Sequence, residues 1–83
     1  MRVAMKVSVR LLATLQSKLP EDATGTTCEI EVPPGSRVED VLGRFGIVDD
    51  HSNVILVNGH SPAPHQELRE GDVVCAFPAI AGG

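Results

Sequence analysis

No tryptophan or tyrosine occurs among the 83 residues, and only two phenylalanines do. The aromatic platforms on which single-stranded nucleic acids stack are therefore missing. Positive charge is scarce as well: seven Lys and Arg stand against eleven Asp and Glu, a net charge of −4 with a pI near 5.1. Phosphate backbones attract clusters of cations that this chain lacks, so no nucleic-acid partner is expected. The two cysteines, Cys28 and Cys75, are far apart and without C-x-x-C spacing. They suggest neither a disulfide framework nor a zinc site, and a reduced, cytoplasmic setting fits them best. No apolar run approaches the roughly 18–20 residues that span a bilayer, and the N-terminus has no signal-peptide core, so no membrane partner is expected. His51, His60 and His65 fall in polar segments without ligand spacing, and no metal site is expected.

What the chain does have is aliphatic. Hydrophobic residues make up 42% of it, almost all Val, Leu, Ile and Ala. A chain of this length folds as one small domain that buries about 60–65% of its unfolded surface, which leaves no room for a deep catalytic cleft. Met5, Val7, Val9 and Leu11 alternate with Lys6, Ser8 and Arg10, the period of a strand with one face buried. Leu12, Leu15 and Leu19 suggest a short amphipathic helix that Pro20 ends. Cys28, Ile30 and Val32 alternate with Glu29 and Glu31, a second strand with the cysteine on its buried side.

Pro33-Pro34-Gly35 ends that strand, and Ser36 and Glu39 have the spacing of a capping box. Val38, Val41, Leu42 and Phe45 follow as the apolar stripe of a helix, with Gly46 placed to stop it. Val54–Val57 reads as a third strand closed by an Asn58-Gly59 turn. Residues 60–69 carry Pro62 and Pro64 and predict a loop with at most one short strand near Gln66 to Leu68. After the turn Glu70-Gly71-Asp72 comes a last strand, Val73 to Phe77. On it Val73, Cys75 and Phe77 share one face and Val74 and Ala76 the other, and parity alone leaves open which is exposed. Acidic pairs such as Glu21-Asp22 and Asp49-Asp50 sit in turn-like segments and read as solvated or capping groups.

The economical arrangement is one helix crossing one face of a small mixed sheet, with first and last strands parallel at its centre. This α+β layout is the β-grasp, or ubiquitin-like, fold. Residues 1–77 are expected to form it and residues 78–83 a flexible tail, Pro78-Ala79-Ile80-Ala81-Gly82-Gly83. Two final glycines add little to a fold but leave the last carboxylate uncrowded. Six extended residues reach roughly 20 Å.

Four stretches resemble the ubiquitin-like sulfur carriers of the MoaD/ThiS type, and most nearly the MoaD small subunit of molybdopterin synthase. They are Met5-Lys6-Val7-Ser8-Val9-Arg10-Leu11-Leu12-Ala13-Thr14-Leu15, the passage from Val32-Pro33-Pro34-Gly35 to Leu42, the turn Val57-Asn58-Gly59, and the ending from Glu70-Gly71-Asp72 through Gly82-Gly83. Ala79 stands where many MoaD tails have proline, and Cys75 matches no family role. The resemblance implies a carrier protein without catalytic residues of its own. Gly83 would be adenylated by a MoeB-type enzyme and converted to a thiocarboxylate. Gly82, Ala81 and Ile80 would thread a partner channel, and Phe77 and Pro78 would dock at its mouth. The chain itself would bind no cofactor; ATP and a sulfur donor would be used by the activating partner. A MoaE-type large subunit would hold the sulfur acceptor in molybdenum or tungsten cofactor synthesis. Carriage of sulfur for thiamine, cysteine or another thio-metabolite, conjugation to proteins through Gly83, and a β-grasp interaction module with an inert tail are the alternatives. The long segment between the first two strands disfavours the thiamine type.

Overall fold

The computed structural model describes residues 4–21, 23–48 and 52–79. Its sheet has four strands: β1 (Met5–Leu11), β2 (Thr27–Val32), β3 (Asn53–Val57) and β4 (Val73–Pro78), in the spatial order β2-β1-β4-β3. β1 runs parallel to β4 and antiparallel to β2, and β3 runs antiparallel to β4. The helix α1 (Val38–Arg44) covers one face. This mixed sheet under one helix is the ubiquitin-like β-grasp architecture.

The core follows the alternation of the strands. Val7, Val9 and Leu11 of β1, Val74 and Ala76 of β4, and Ile55 and Val57 of β3 are buried together with Val38, Val41 and Leu42 of α1. Leu15 joins them from a 3₁₀ helix, Ala13–Lys18, which forms where the leucine spacing predicts a short helix before Pro20. Cys28 pairs with Val9 on the core side of β2 but is only half-buried, because β2 is an edge strand. It lines a shallow cavity with Lys18, Pro20, Ile30, Arg44 and Phe45.

Two expectations change. The helix is capped one residue later than the Ser36/Glu39 spacing suggests. The Ser36 hydroxyl donates to the Pro33 carbonyl at 2.7 Å and so closes the preceding turn. The backbone N–H of Arg37, the N-cap, instead donates to the Asp40 carboxylate at 2.9 Å. The short strand near Gln66–Leu68 is reduced to one bridge, Arg37↔Glu67. Val38 N–H donates to the Gln66 carbonyl and Leu68 N–H to the Ser36 carbonyl, so the segment pairs with the lead-in to α1 rather than with the sheet. Leu68 is thereby buried.

The end of α1 shows why a glycine is placed there. Gly46 N–H donates to the Gly43 carbonyl and Ile47 N–H to the Leu42 carbonyl, the paired bonds of a Schellman motif, with Gly46 at φ +71°. A Cβ at Gly46 would meet nothing nearer than Lys18 Nζ at 3.9 Å, so only the backbone conformation resists substitution. Gly46→Ala is expected to lose about 1–2 kcal/mol of stability and Gly46→Asn less, measured by urea unfolding. Equal stability of both variants would show that the left-handed cap is not maintained.

Candidate functional site

β4 has the helix on one side only, and this decides the parity of its side chains. Val74 and Ala76 lie beneath α1, fully buried, while Val73, Cys75 and Phe77 occupy the opposite, open face of the sheet. Cross-strand partners point to the same side. Val54 stands opposite Phe77 and Leu56 opposite Cys75. Val54, Leu56, Val73, Cys75 and Phe77 therefore form one apolar strip along the β3–β4 half of the open face. The β1–β2 half is polar and charged: Lys6 opposes Glu31, Ser8 opposes Glu29, and Arg10 lies between Thr27 and Cys75 of β4. The face is divided lengthwise, with its apolar half leading to the C-terminal end of β4.

At that end the strip deepens. Leu12, Ala13, Phe77 and Pro78 line an almost wholly apolar hollow of about 340 Å³. Ala13 turns the chain out of β1 at φ +54°, a left-handed conformation that is unfavourable for a residue with a Cβ. The last bond from β1 to β4 joins Leu12 N–H to the Ala76 carbonyl. Beyond it β4 is paired only with β3, through Val54↔Phe77 and Asn53↔Pro78.

Pro78 fits this boundary. The hydrogen-bond alternation along β4 turns the amides of odd-numbered residues toward β3 and those of even-numbered residues toward β1. The proline nitrogen thus faces the side from which β1 has departed, where no donor is required. The ladder continues past the proline, since Ala79 N–H donates to the Ser52 carbonyl at 2.9 Å. Pro78 is thus the last residue of β4, and Ala79 is hydrogen-bonded just beyond it.

Of the residues singled out from sequence, Phe77 and Pro78 lie together at this hollow. Ile80, Ala81, Gly82 and Gly83 lie outside the described residues. Sequence reasoning missed Leu12 and Ala13, whose place beside Phe77 depends on the parallel pairing of β1 with β4, and it missed Val54 and Leu56 as part of the open face. Their signal was the β3 run itself, in which alternate residues of a one-helix sheet cannot all be buried.

His65 Nδ1 donates to Glu39 Oε2 at 2.7 Å, and this hydrogen bond holds the Glu39 carboxyl below its ordinary range. The pair is exposed and tethers the 60s loop to the start of α1. Among the described residues no cluster of His, Cys, Asp and Glu could hold a metal ion. Nor is any helix there long and apolar enough to cross a membrane.

The model of the ThiS family matches residues 9–83. The chain belongs to the ThiS family of ubiquitin-like carriers. Among solved structures, this ThiS-family chain is similar to a Pyrococcus furiosus protein provisionally named molybdopterin converting factor, subunit 1. They share 30% identity at a TM-score of 0.71, over 92% of this chain and 99% of that one. Small archaeal modifier protein 1 of Haloferax volcanii has the same fold, with 22% identity, a TM-score of 0.72 and the same coverage. RnfH of Pseudoalteromonas translucida is 37% identical over 70 residues, 76% of this chain, and the match spans 64% of that protein's length.

Proposed function

We propose that this protein is a sulfur carrier for molybdopterin synthesis, acting through the carboxylate of Gly83. The observation that carries the reading is the 30% identity to the Pyrococcus furiosus protein over nearly the whole of both chains. It is joined by an apolar docking strip that leads to the base of the C-terminal arm.

The chemistry belongs to the arm and to its partners. In the site of a MoeB-type enzyme the Gly83 carboxylate attacks the α-phosphorus of ATP and pyrophosphate leaves. Sulfur at the sulfide level, as HS⁻, then adds to the acyl-adenylate carbonyl, AMP departs, a far better leaving group than oxide, and the S–H proton is lost to solvent. The product is a thiocarboxylate, whose sulfur is itself a nucleophile that the arm presents to the acceptor. Glycine at both final positions keeps the carbonyl open to each attack. The protein supplies position: β4 aims the arm, and the strip docks the partner. In this reading a MoaE-type large subunit is the second partner, and this chain is the non-catalytic small subunit.

Intact mass after incubation with ATP, a MoeB-type enzyme and a sulfur donor tests the proposal. One sulfur in place of one oxygen at Gly83 is expected, and the product should then support molybdopterin formation by a MoaE-type subunit. An unchanged mass overturns the carrier reading; conjugates to lysines of other proteins would assign the chain as a modifier instead.

Phe77→Ala is expected to raise the Kd for the MoeB-type enzyme about 10- to 100-fold, as for a central aromatic anchor. Phe77 is only half-buried and lies outside the helix-covered core, so thermal unfolding should move little. Unaltered affinity would remove Phe77 from the docking surface.

A further inference from the structure

The two edges of the sheet are treated differently. β2 carries Glu29 and Glu31 on its open face, its outward Glu31 carbonyl accepts from Arg44 Nη1 at 2.8 Å, and Thr27 is closed by reciprocal bonds to Thr24. Charge and occupied backbone groups are how proteins protect an edge from strand addition. β3, Asn-Val-Ile-Leu-Val, has no charge at all. Its Val54 and Leu56 backbone groups face β4, so those of Asn53 and Ile55 face outward. Among the described residues no turn or loop bond ends on them, and the edge is closed only at Val57, by His60.

A second observation falls at the same place. Val48 is the most exposed large apolar residue described, at 64%. Its carbonyl accepts from Asn53 Nδ2 at 3.1 Å, which holds it beside the open end of β3.

We infer that the β3 edge, with Val48 beside it, receives an extended segment of the protein that takes the arm, added to the sheet as a fifth strand. A second copy of this chain is a poor occupant. Two outward residues per chain fall far short of the roughly 1,000 Å² a stable interface buries, and each copy carries a charge of −4. The arm-binding partner is favoured by continuity. Asn53, the first residue of β3, pairs with Pro78, and Ser52 just before it accepts from Ala79 N–H, so a strand added to β3 begins at the base of the arm, where that partner already lies. Its backbone would satisfy Asn53 and Ile55, and its alternate side chains would extend the strip of Val54 and Leu56. The segment should be apolar at those alternate positions. Basic flanks are expected, because Asp49 and Asp50 immediately precede β3 in sequence.

This inference rests on the carrier reading, and its test separates the two. Amide exchange is followed in the complex with the MoeB-type enzyme and in that with the MoaE-type subunit. In at least one of them the Asn53 and Ile55 amides should exchange at least tenfold more slowly than in the free protein. In that complex Asn53→Pro, which removes one outward N–H, and Val48→Lys, which alters only an exposed side chain, should each raise Kd at least tenfold. With the MoeB-type enzyme as that partner, the rate of thiocarboxylate formation at saturation should stay within twofold, as for residues that dock but do not act. Complexes that form with unchanged exchange at both amides, or with unchanged Kd for Val48→Lys, overturn the edge proposal and leave the carrier reading standing. Failure to form either complex overturns both.

Discussion

Deletion of Gly83 is expected to reduce thiocarboxylate formation by at least about 100-fold while leaving the fold intact. Removing one residue withdraws the carboxyl carbon by roughly 3.3–3.6 Å along an extended arm. Misplacement of a reacting group by about 1 Å already costs on the order of 100-fold. The partner's site can recover the distance only by drawing the body closer, and Ala79, hydrogen-bonded to Ser52, together with the docked strip opposes that. Among the described residues no core residue lies beyond Ala76, so unfolding should remain within about 0.5 kcal/mol of the parent. The measurement pairs the rate of mass gain with urea unfolding of the same sample. Sulfur uptake at the parental rate by the truncated chain would show that the partner does not measure arm length. Loss of uptake with an unfolded body would leave the comparison to Gly83→Ala, which keeps the length and adds one methyl.

Leu42→Ala is expected to have the largest effect on stability, about 2–5 kcal/mol. Leu42 is 1% exposed and sits at the centre of the α1 stripe, between the helix and the strands. Its own carbonyl receives both Phe45 N–H and Ile47 N–H, so the residue joins the side-chain core to the end of the helix. A domain of this size has little reserve, since a single small core supplies about 3–5 kcal/mol. The variant should therefore melt at least about 10 °C lower and be partly unfolded at 37 °C. Leu42→Met, which nearly conserves volume, should cost less than about 1.5 kcal/mol. A loss below about 1 kcal/mol for the alanine variant would mean that α1 is not packed as described.

The two predictions draw on different levels of information. That Leu42 is buried was legible in the chain, because Val38, Val41, Leu42 and Phe45 recur at the helical period and have only one way to avoid water. The same holds for Val7, Val9 and Leu11. The helix cap was misplaced by one residue, because Ser36 and Asp40 each have two possible backbone partners and the turn at Pro33 takes the serine. The segment Gln66–Leu68, expected as a loop with at most one short strand, makes a single bridge, and its Leu68 is held by the lead-in to α1 and not by the sheet.

The candidate site was legible in part. Phe77 and Pro78 stood out as an apolar strand running into a proline. That Leu12 and Ala13 complete their hollow, and that Val54 and Leu56 extend their strip, follows from pairings between residues 19 or more positions apart, Leu56 with Cys75 being the nearest in sequence.

By itself, then, the sequence determined the elements, their amphipathic faces, the ubiquitin-like order in which they occur and the resemblance that the family match bears out. These depend on period, turn chemistry and short motifs, all of which are local. Only the tertiary structure decided that Val73, Cys75 and Phe77 face outward, that β4 runs through Pro78, and that β3 is an unguarded edge while β2 is closed. Each of these depends on which side of the sheet the helix covers and which strand lies alongside, and side-chain alternation has no knowledge of either.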